Sequence, residues 1–259
     1  MVFKTGNMNK QNKIRVGAVS YLNTKPLIYG FEQGMMNDRI ELRIDYPARI
    51  AALLQQDEID VGLVPVAVIP HLKESHIITD YCIGAEGAVA SVCLFSEVPL
   101  EEIKEVLLDY QSRTSVALAG ILISDYWKIR PQLTAAREDF RDHIRGTTAG
   151  VVIGDRALEQ RRHAAYVYDF GEAWKAYTGL PFVFAAWISN KPLEEDFIRS
   201  FGEANQFGLN RIDEVVAKNP YPVFDLKKYY TQHISYQLTD AKRAGLALFL
   251  EKLREGVHP

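Results

Sequence analysis

Polar side chains suited to holding a small anion occur in four short segments, each of which follows a predicted strand. In the first, residues 20–27, Ser20, Tyr21 and Asn23 offer a hydroxyl, a phenol and an amide just before Pro26, which suits the start of a helix. Two roles are open for this segment. Its polar groups cap the helix, or Asn23 orients a hydroxyl or carboxylate of a ligand.

The second segment reads Ser-Arg-Thr-Ser at residues 112–115 and precedes an apolar helix. A helix N-terminus presents free N–H groups and the positive end of the helix dipole, which together favour an anion. Capping needs one hydroxyl, and three hydroxyls around Arg113 exceed that need. The pattern therefore predicts that Thr114 and Ser115 bind a carboxylate, with capping alone as the alternative.

The other two segments each contribute one candidate. Residues 84–92 are mostly small, so a ligand can approach their backbone closely. Ser91 in this otherwise apolar stretch needs a hydrogen-bond partner, either inside the protein or on a ligand. Asp155 follows an apolar strand and a glycine; it caps the next helix, or it contacts the ligand or the opposite lobe.

Several classes of function lack their usual signals. The sequence has no glycine-rich nucleotide-binding motif, no His-Glu-x-x-His motif and no Gly-x-Ser-x-Gly motif, and its six histidines are scattered. These absences argue against nucleotide binding and serine-hydrolase chemistry, and we expect no metal site. Cys82 and Cys93 lie in apolar, strand-like sequence and are predicted to be buried thiols.

The net charge and the hydropathy of the sequence limit the classes of binding partner that are expected. A net charge of −3 gives no general attraction to nucleic acid, and no apolar run approaches the roughly 20 residues of a membrane span. Residues 1–13 are polar and contain no run of signal-peptide length. The expectation is a cytoplasmic protein that binds a small molecule, without nucleic acid or membrane; the oligomeric state stays open.

The elements that must position these segments alternate between strand and helix in two successive units without a flexible linker. This pattern predicts an α/β protein with two lobes and mainly parallel sheets. We predict a first lobe of residues 1–95 plus 190–259, with mostly helical structure after Lys191, and a second lobe of residues 96–189. Residues 77–83 and 88–95 are predicted to form a strand pair, and the ligand cleft should lie between the lobes.

An aromatic group surrounds the Thr-Gly-Leu-Pro segment at residues 178–181. Aromatic side chains at such spacing usually belong to a core, but some can wall a cleft and help to exclude water. The members of this group are Trp174, Tyr177, Phe182, Phe184 and Trp187.

The same segments make the chain resemble the chorismate dehydratase family of menaquinone biosynthesis by the futalosine route. The matching segments are residues 16–27 (VGAVSYLNTKPL), 60–65 (DVGLVP), 90–92 (ASV), 112–115 (SRTS), 154–155 (GD), 178–187 (TGLPFVFAAW) and 229–236 (YYTQHISY). They follow one another in order and cover nearly the whole chain.

The resemblance implies a two-lobed, type-II periplasmic-binding-protein-like fold used as a cytoplasmic enzyme. It implies a carbon–oxygen lyase that converts chorismate to 3-[(1-carboxyvinyl)oxy]benzoate and water, with no cofactor. A sister family of the same pathway acts on cyclic dehypoxanthinyl futalosine and reads Ser-Pro-Cys-Pro-Asn-Asp in the first loop. Here that loop reads SYLNTK, which favours the dehydratase. An alternative of another class is a binding protein for a small anion, without catalysis.

The chemistry suits these residues. Dehydration removes a ring proton and the neighbouring hydroxyl, and formation of the aromatic ring supplies much of the driving force, so the site mainly orients groups. No matching segment contains a pair of carboxylates for acid–base catalysis. One hypothesis is that the enolpyruvyl carboxylate of the substrate takes the ring proton. The hypothesis makes Asn23 and Ser91 catalytic and assigns substrate binding to Ser20, Tyr21, Thr114, Ser115 and Asp155.

Overall fold

A computed structural model describes residues 13–256 of the 259-residue chain. Residues 1–12, on which part of the leader prediction rests, lie outside this range. The strands are β1 (Ile14–Val19), β2 (Ile40–Asp45), β3 (Val61–Pro65), β4 (His76–Ala85), β5 (Val92–Ser96), β6 (Glu105–Leu108), β7 (Gln132–Ala135), β8 (Thr148–Ile153), β9 (Tyr166–Asp169), β10 (Phe182–Ser189) and β11 (Ser235–Gln237).

Helices connect and cover these strands. The α-helices are α1 (Lys25–Glu32), α2 (Pro47–Gln55), α3 (Arg113–Ile121), α4 (Asp155–Gln160), α5 (Phe170–Thr178), α6 (Glu195–Leu209), α7 (Ile212–Lys218), α8 (Leu226–Lys228) and α9 (Asp240–Arg254). Proline in the first turn of α1 and of α2 fits the rule that its missing N–H has no helical partner there in any case.

The strands form two separate sheets. One has six strands in the order β11-β4-β10-β3-β1-β2, and the other has five in the order β7-β6-β8-β5-β9. Strand β1 pairs in parallel with β2 and β3, and β6 pairs in parallel with β7 and β8. Strands β10 and β5 run antiparallel to both of their neighbours. The prediction of an α/β protein is confirmed. The prediction that the sheets are mainly parallel is wrong, because β5 and β10 run against their neighbours in each sheet.

The chain changes sheet twice, between β4 and β5 and again between β9 and β10. Strand β10 therefore belongs to the six-stranded sheet, whereas the prediction put residues 182–189 in the second lobe. Likewise β5 belongs to the five-stranded sheet, so the predicted pair of residues 77–83 and 88–95 does not form. The predicted boundaries at residues 95 and 189 therefore lie at the C-terminal ends of β5 and β10, whereas the chain changes sheet before these strands begin.

The C-terminal part is less helical than predicted. Ile234, Tyr236 and Leu238 are buried, and they alternate with more exposed residues, which is the period of a strand. The segment pairs as β11 with the edge of β4. Before it, residues Tyr229–His233 form one π-helical turn. This places a run of buried tyrosines beside the junction of the two sheets.

Most of the aromatic group proves to be core. Trp174, Phe182 and Trp187 are fully buried and meet other rings edge-on. Cys82 and Cys93 are free, buried thiols, as predicted. Within residues 13–256, no cluster of potential metal ligands occurs and no helix is long and apolar enough to cross a membrane. The cytoplasmic location stays a prediction.

Candidate functional site between the two sheets

A cavity of about 50 Å³ lies between the sheets. It is bounded by the carboxyl ends of strands from both of them, Val19 of β1, Pro65 of β3 and Ile153 of β8. This is where α/β sheets generally bind ligands. The lining residues are Val19, Tyr21, Asn23, Pro47, Pro65, Ile83, Val92, Ser112, Ser115, Ile153, Gly154, Phe184 and Ala185.

The loop after β1 places Tyr21 and Asn23 in the lining, as predicted from the sequence. The Tyr21 ring crosses to the other sheet, where its hydroxyl donates to the Gln111 side chain. A Cβ at Gly154 would lie 3.0 Å from three carbons of the Tyr21 ring, and Gly154 has a positive φ of 63°. Glycine is therefore required beneath this ring. Burial raises the pKa of Tyr21 far above neutral, so its phenol stays protonated.

Ser20 does not take its predicted place. It is exposed, its backbone N–H donates to the Asp45 carbonyl at 3.0 Å, and it does not line the cavity. Tyr21, the next residue, does line the cavity. The substrate-binding role predicted for Ser20 is therefore not supported by its position.

The start of α3 faces the cavity with two hydroxyls. Ser112 is the N-cap and accepts from the Ser115 backbone N–H at 3.3 Å, while the Ser115 hydroxyl donates to Ser112 Oγ at 3.1 Å. Both serines line the cavity. The free N–H groups of this first helical turn add a positive potential on the same side.

Thr114 has another task. Its side chain is fully buried, outside the cavity lining, and Thr114 Oγ1 accepts from the Ala67 backbone N–H at 3.0 Å. That N–H lies in the short helical segment Val66–His71, which follows β3 of the other sheet. The direct anion contact predicted for the Thr114 hydroxyl is therefore not supported by its position, because this hydroxyl joins the two halves of the molecule.

Ser91 lies in the first connection between the sheets, and its hydroxyl is fully buried beside the cavity rather than in its lining. The partner it needs is Tyr229, whose hydroxyl donates to Ser91 Oγ at 2.6 Å. The Asn23 side chain contacts the same phenol, whose pKa is raised by burial. Tyr236 donates to the Asn23 backbone carbonyl at 2.9 Å. The two residues predicted to be catalytic are thus brought together through tyrosines of the C-terminal segment.

The backbone just before Ser91 is strained. Ala90 has a φ of 65°, a region that residues with a Cβ seldom occupy. Asp169 at the end of β9 holds it there by accepting from the backbone N–H groups of Val89 and Ala90 at 2.9 and 2.7 Å. Arg161 donates to the Ala90 carbonyl at 3.2 Å. Strain of this kind, fixed by several contacts, is typical of functional positions.

The position of Asp155 bears on the two roles left open for it. It is the first residue of α4 but does not cap that helix; instead Asp155 Oδ1 accepts from the Leu22 backbone N–H in the loop after β1, at 3.1 Å. Burial raises the pKa of Asp155 to about 6. Asp155 does not line the cavity, so its position supports contact with the opposite lobe rather than with the substrate.

Arg156, which contacts Tyr21 of the cavity lining, is paired with a buried carboxylate. Arg156 Nη2 donates to both carboxylate oxygens of Asp109, at 3.0 and 2.7 Å. Asp109 also accepts from the backbone N–H groups of Gln111 and Ile153, at 2.9 and 3.3 Å. This buried pair fixes the loop that bears Gln111 to the end of β8.

The lining itself is almost free of ionisable groups. Within residues 13–256, the cavity is lined by no carboxylate, histidine, lysine or arginine, and Tyr21 is its one titratable side chain. Polar contact with a ligand comes from the Asn23 amide, the serine hydroxyls and backbone groups. Such a site can orient an anionic ligand and exclude water, but its lining supplies no base for neutral pH.

Sequence reasoning missed Tyr229 and Tyr236 as parts of the site. They are 138 and 213 residues from their partners Ser91 and Asn23. No local pattern links residues so far apart; the signal present was that both lie in the last matching segment, residues 229–236. Phe184 is the one member of the aromatic group that lines the cavity.

The fold defines a class of protein. Protein AF1704 from Archaeoglobus fulgidus superposes with a TM-score of 0.75 at 15% identity, over 94% of this chain and 97% of that one. The aliphatic sulphonate binding protein SsuA from Escherichia coli gives 0.58 at 14% identity, over 93% of each chain. A Candida albicans protein with the generic periplasmic binding protein fold gives 0.58 at 14% identity, over 93% and 94%. The chain therefore has the two-lobed periplasmic-binding-protein architecture.

Sequence similarity is more specific than the fold. The chain belongs to the family described as "Menaquinone biosynthesis", whose model matches residues 14–255. A chorismate dehydratase from Thermus thermophilus is 28% identical in an alignment 232 residues long, which covers 80% of this chain and 84% of that protein. The family resemblance read from the sequence is confirmed.

Proposed function

We propose that this protein is a chorismate dehydratase, a carbon–oxygen lyase that converts chorismate to 3-[(1-carboxyvinyl)oxy]benzoate and water. Membership of the menaquinone biosynthesis family and the similarity to the Thermus thermophilus enzyme support the proposal. The first loop, SYLNTK, favours this reaction over that of the sister family.

The observation that carries the proposal is the neutral lining of the cavity. A dehydration normally needs a base for the ring proton, and within residues 13–256 the lining offers none that titrates near neutral pH. Chorismate brings its own base in the enolpyruvyl carboxylate. That carboxylate takes the ring proton, the neighbouring C–O bond breaks as the ring becomes aromatic, and the proton passes to the departing hydroxide to form water.

The protein then has to bind and orient the substrate. The first turn of α3, with Ser115, holds one carboxylate through N–H and hydroxyl donors. Asn23 has both a donor and an acceptor and positions the second carboxylate and the departing hydroxyl. Ser91 donates to the same region from beneath it.

The size of the cavity implies movement. An empty cavity of ~150 Å³ accommodates benzene, and chorismate is larger than benzene, whereas this cavity measures about 50 Å³. We infer that the site widens to hold the substrate, by separation of the two halves or by movement of Tyr21 away from Gly154. Reclosure then keeps bulk water out while the hydroxyl leaves.

The direct test is incubation of the purified protein with chorismate, followed by chromatography and mass measurement of the product. We expect an aromatic product that is lighter than chorismate by one water. A protein-free incubation gives the background decay, and cyclic dehypoxanthinyl futalosine, offered separately, tests the sister reaction. Conversion of that compound instead of chorismate would overturn the proposal.

Binding without catalysis is the second candidate, because the fold is shared with proteins such as the sulphonate binding protein. Calorimetry with chorismate distinguishes it from the first. Saturable binding with no product above the protein-free background would replace the dehydratase by an anion-binding protein.

A further inference from the structure

The Ser91 hydroxyl is buried, and it accepts a hydrogen bond but donates none to the described residues. It accepts one hydrogen bond, from Tyr229 at 2.6 Å, which is at the short end for two hydroxyls. A phenol is more acidic than an aliphatic alcohol, so Tyr229 is the better donor of the two. Within residues 13–256, the structure gives the Ser91 proton no acceptor of its own. Ser91 does not itself line the cavity, but the next residue, Val92, does, so that proton is left for an oxygen bound in the adjacent cavity.

The Tyr229 ring is held on several sides. It is fully buried, meets Phe224 edge-on at 6.0 Å between ring centres and packs against Tyr230 at 5.7 Å. The turn that bears it is anchored by Asp225, which accepts from the Lys228 backbone N–H at 2.9 Å. Burial also raises the pKa of Tyr229 far above neutral, so the phenol remains a donor at every working pH.

We propose that Tyr229 is a positioning residue of the reaction, which occupies a lone pair of Ser91 Oγ and thereby aims the Ser91 proton at the substrate. The inference rests on the proposed function and deepens it. A serine hydroxyl rotates freely in the absence of such a partner. With Tyr229 bound on one side, the proton points away from the tyrosine, and preorganised donors of this kind stabilise charge that develops on a leaving oxygen.

The chain offers a matched control in the neighbouring residue. Tyr230 is also buried, but its hydroxyl has no hydrogen-bond partner within residues 13–256. Tyr229→Phe and Tyr230→Phe therefore remove the same atom from the same helical turn. Only the first removes a contact to Ser91; it also removes one to Asn23, so the double variant with Ser91→Ala is needed to tell the two routes apart.

The experiment compares these two variants with Ser91→Ala and with the double variant Tyr229→Phe/Ser91→Ala, in steady-state turnover of chorismate below the lowest melting temperature of the set. Misplacing a reacting group can cost ~10²-fold. We expect Tyr229→Phe to lower kcat by ~10- to 100-fold, with KM within about threefold, and Tyr230→Phe to match the unmodified protein. Because Tyr229 acts through Ser91, the double variant should be no slower than Ser91→Ala.

The outcomes separate this inference from the proposed function. If the unmodified protein does not dehydrate chorismate, both fall. If it does, and Tyr229→Phe turns over like Tyr230→Phe, or the two losses multiply in the double variant, the positioning role is overturned alone. Should Tyr229→Phe fail to fold, 3-fluorotyrosine at position 229 keeps the ring and strengthens the donor. A kcat changed by about twofold or more there, but not at position 230, supports the inference, and equal kcat at both overturns it.

Discussion

Replacing Asp155 by asparagine should flatten part of the pH dependence of stability. Asp155 Oδ1 accepts a hydrogen bond from the Leu22 backbone N–H, and an asparagine amide oxygen can accept the same bond. The change therefore removes the charge and keeps the contact between the two halves of the molecule. What it removes is the cost of ionising a buried carboxyl.

The magnitude follows from the pKa. Burial raises the pKa of Asp155 from 3.8 to about 6, so the folded state prefers the protonated carboxyl. Its contribution to stability is full below 3.8 and is lost as the pH rises through about 6. The whole shift corresponds to about 3 kcal/mol of unfolding free energy, of which about 1.4 kcal/mol is lost between pH 5 and pH 8.

The assay is urea unfolding of both proteins at pH 5, 6, 7 and 8. The stability advantage of Asp155→Asn should grow by about 1.4 kcal/mol across this range. Asp38→Asn, at an exposed position, controls for the general change in net charge. A difference between Asp155→Asn and the unmodified protein that stays constant from pH 5 to pH 8 would refute the reasoning.

Three further predictions concern the cavity. Asn23→Ala and Ser91→Ala should each lower chorismate turnover on the order of 10²-fold when assayed below the melting temperature of each variant; near-normal turnover in both means that the reacting groups lie elsewhere. Ser115→Ala should weaken ligand binding by roughly 1–3 kcal/mol in calorimetry, whereas Thr114→Ala should mainly lower thermal stability, since its hydroxyl accepts from the Ala67 N–H; the reverse pattern would contradict the site described above. Gly154→Ala should lower both melting temperature and turnover, because its φ is 63° and its Cβ would meet the Tyr21 ring at 3.0 Å; unchanged values of both would show that the loop adapts.

Local chemistry was predictable wherever one element contains the whole signal. The start of α3 was found from three hydroxyls at a helix N-terminus, and the loop after β1 from polar residues before a proline. Sequence could not assign each hydroxyl its partner. Ser112 and Ser115 face the cavity, whereas the Thr114 hydroxyl accepts from the Ala67 backbone N–H in the short helix after β3. The sequence does not distinguish these three hydroxyls.

Long-range arrangement was less predictable. The restart of the strand–helix pattern indicated two lobes. Nothing local shows that the chain crosses back to the six-stranded sheet before β10 rather than after it. An apolar strand buried on both faces reads the same in either sheet. Tyr229 was not predicted for a similar reason, because its role depends on a hydrogen bond to Ser91, which is 138 residues away in the sequence.

A neutral cavity is what the proposed chemistry requires when the substrate supplies the base. An ion pair with lysine or arginine binds a carboxylate tightly but lowers its pKa, and so weakens it as a proton acceptor. Hydroxyl, amide and backbone donors hold the same group with a smaller loss of basicity. The pairing of Arg156 with Asp109 fits this logic, because it cancels a nearby positive charge that would otherwise act on the substrate. If the proposed function holds, the lining within residues 13–256, which has no charged side chain, leaves the substrate carboxylate basic, and Ser115→Lys should lower KM while it lowers kcat.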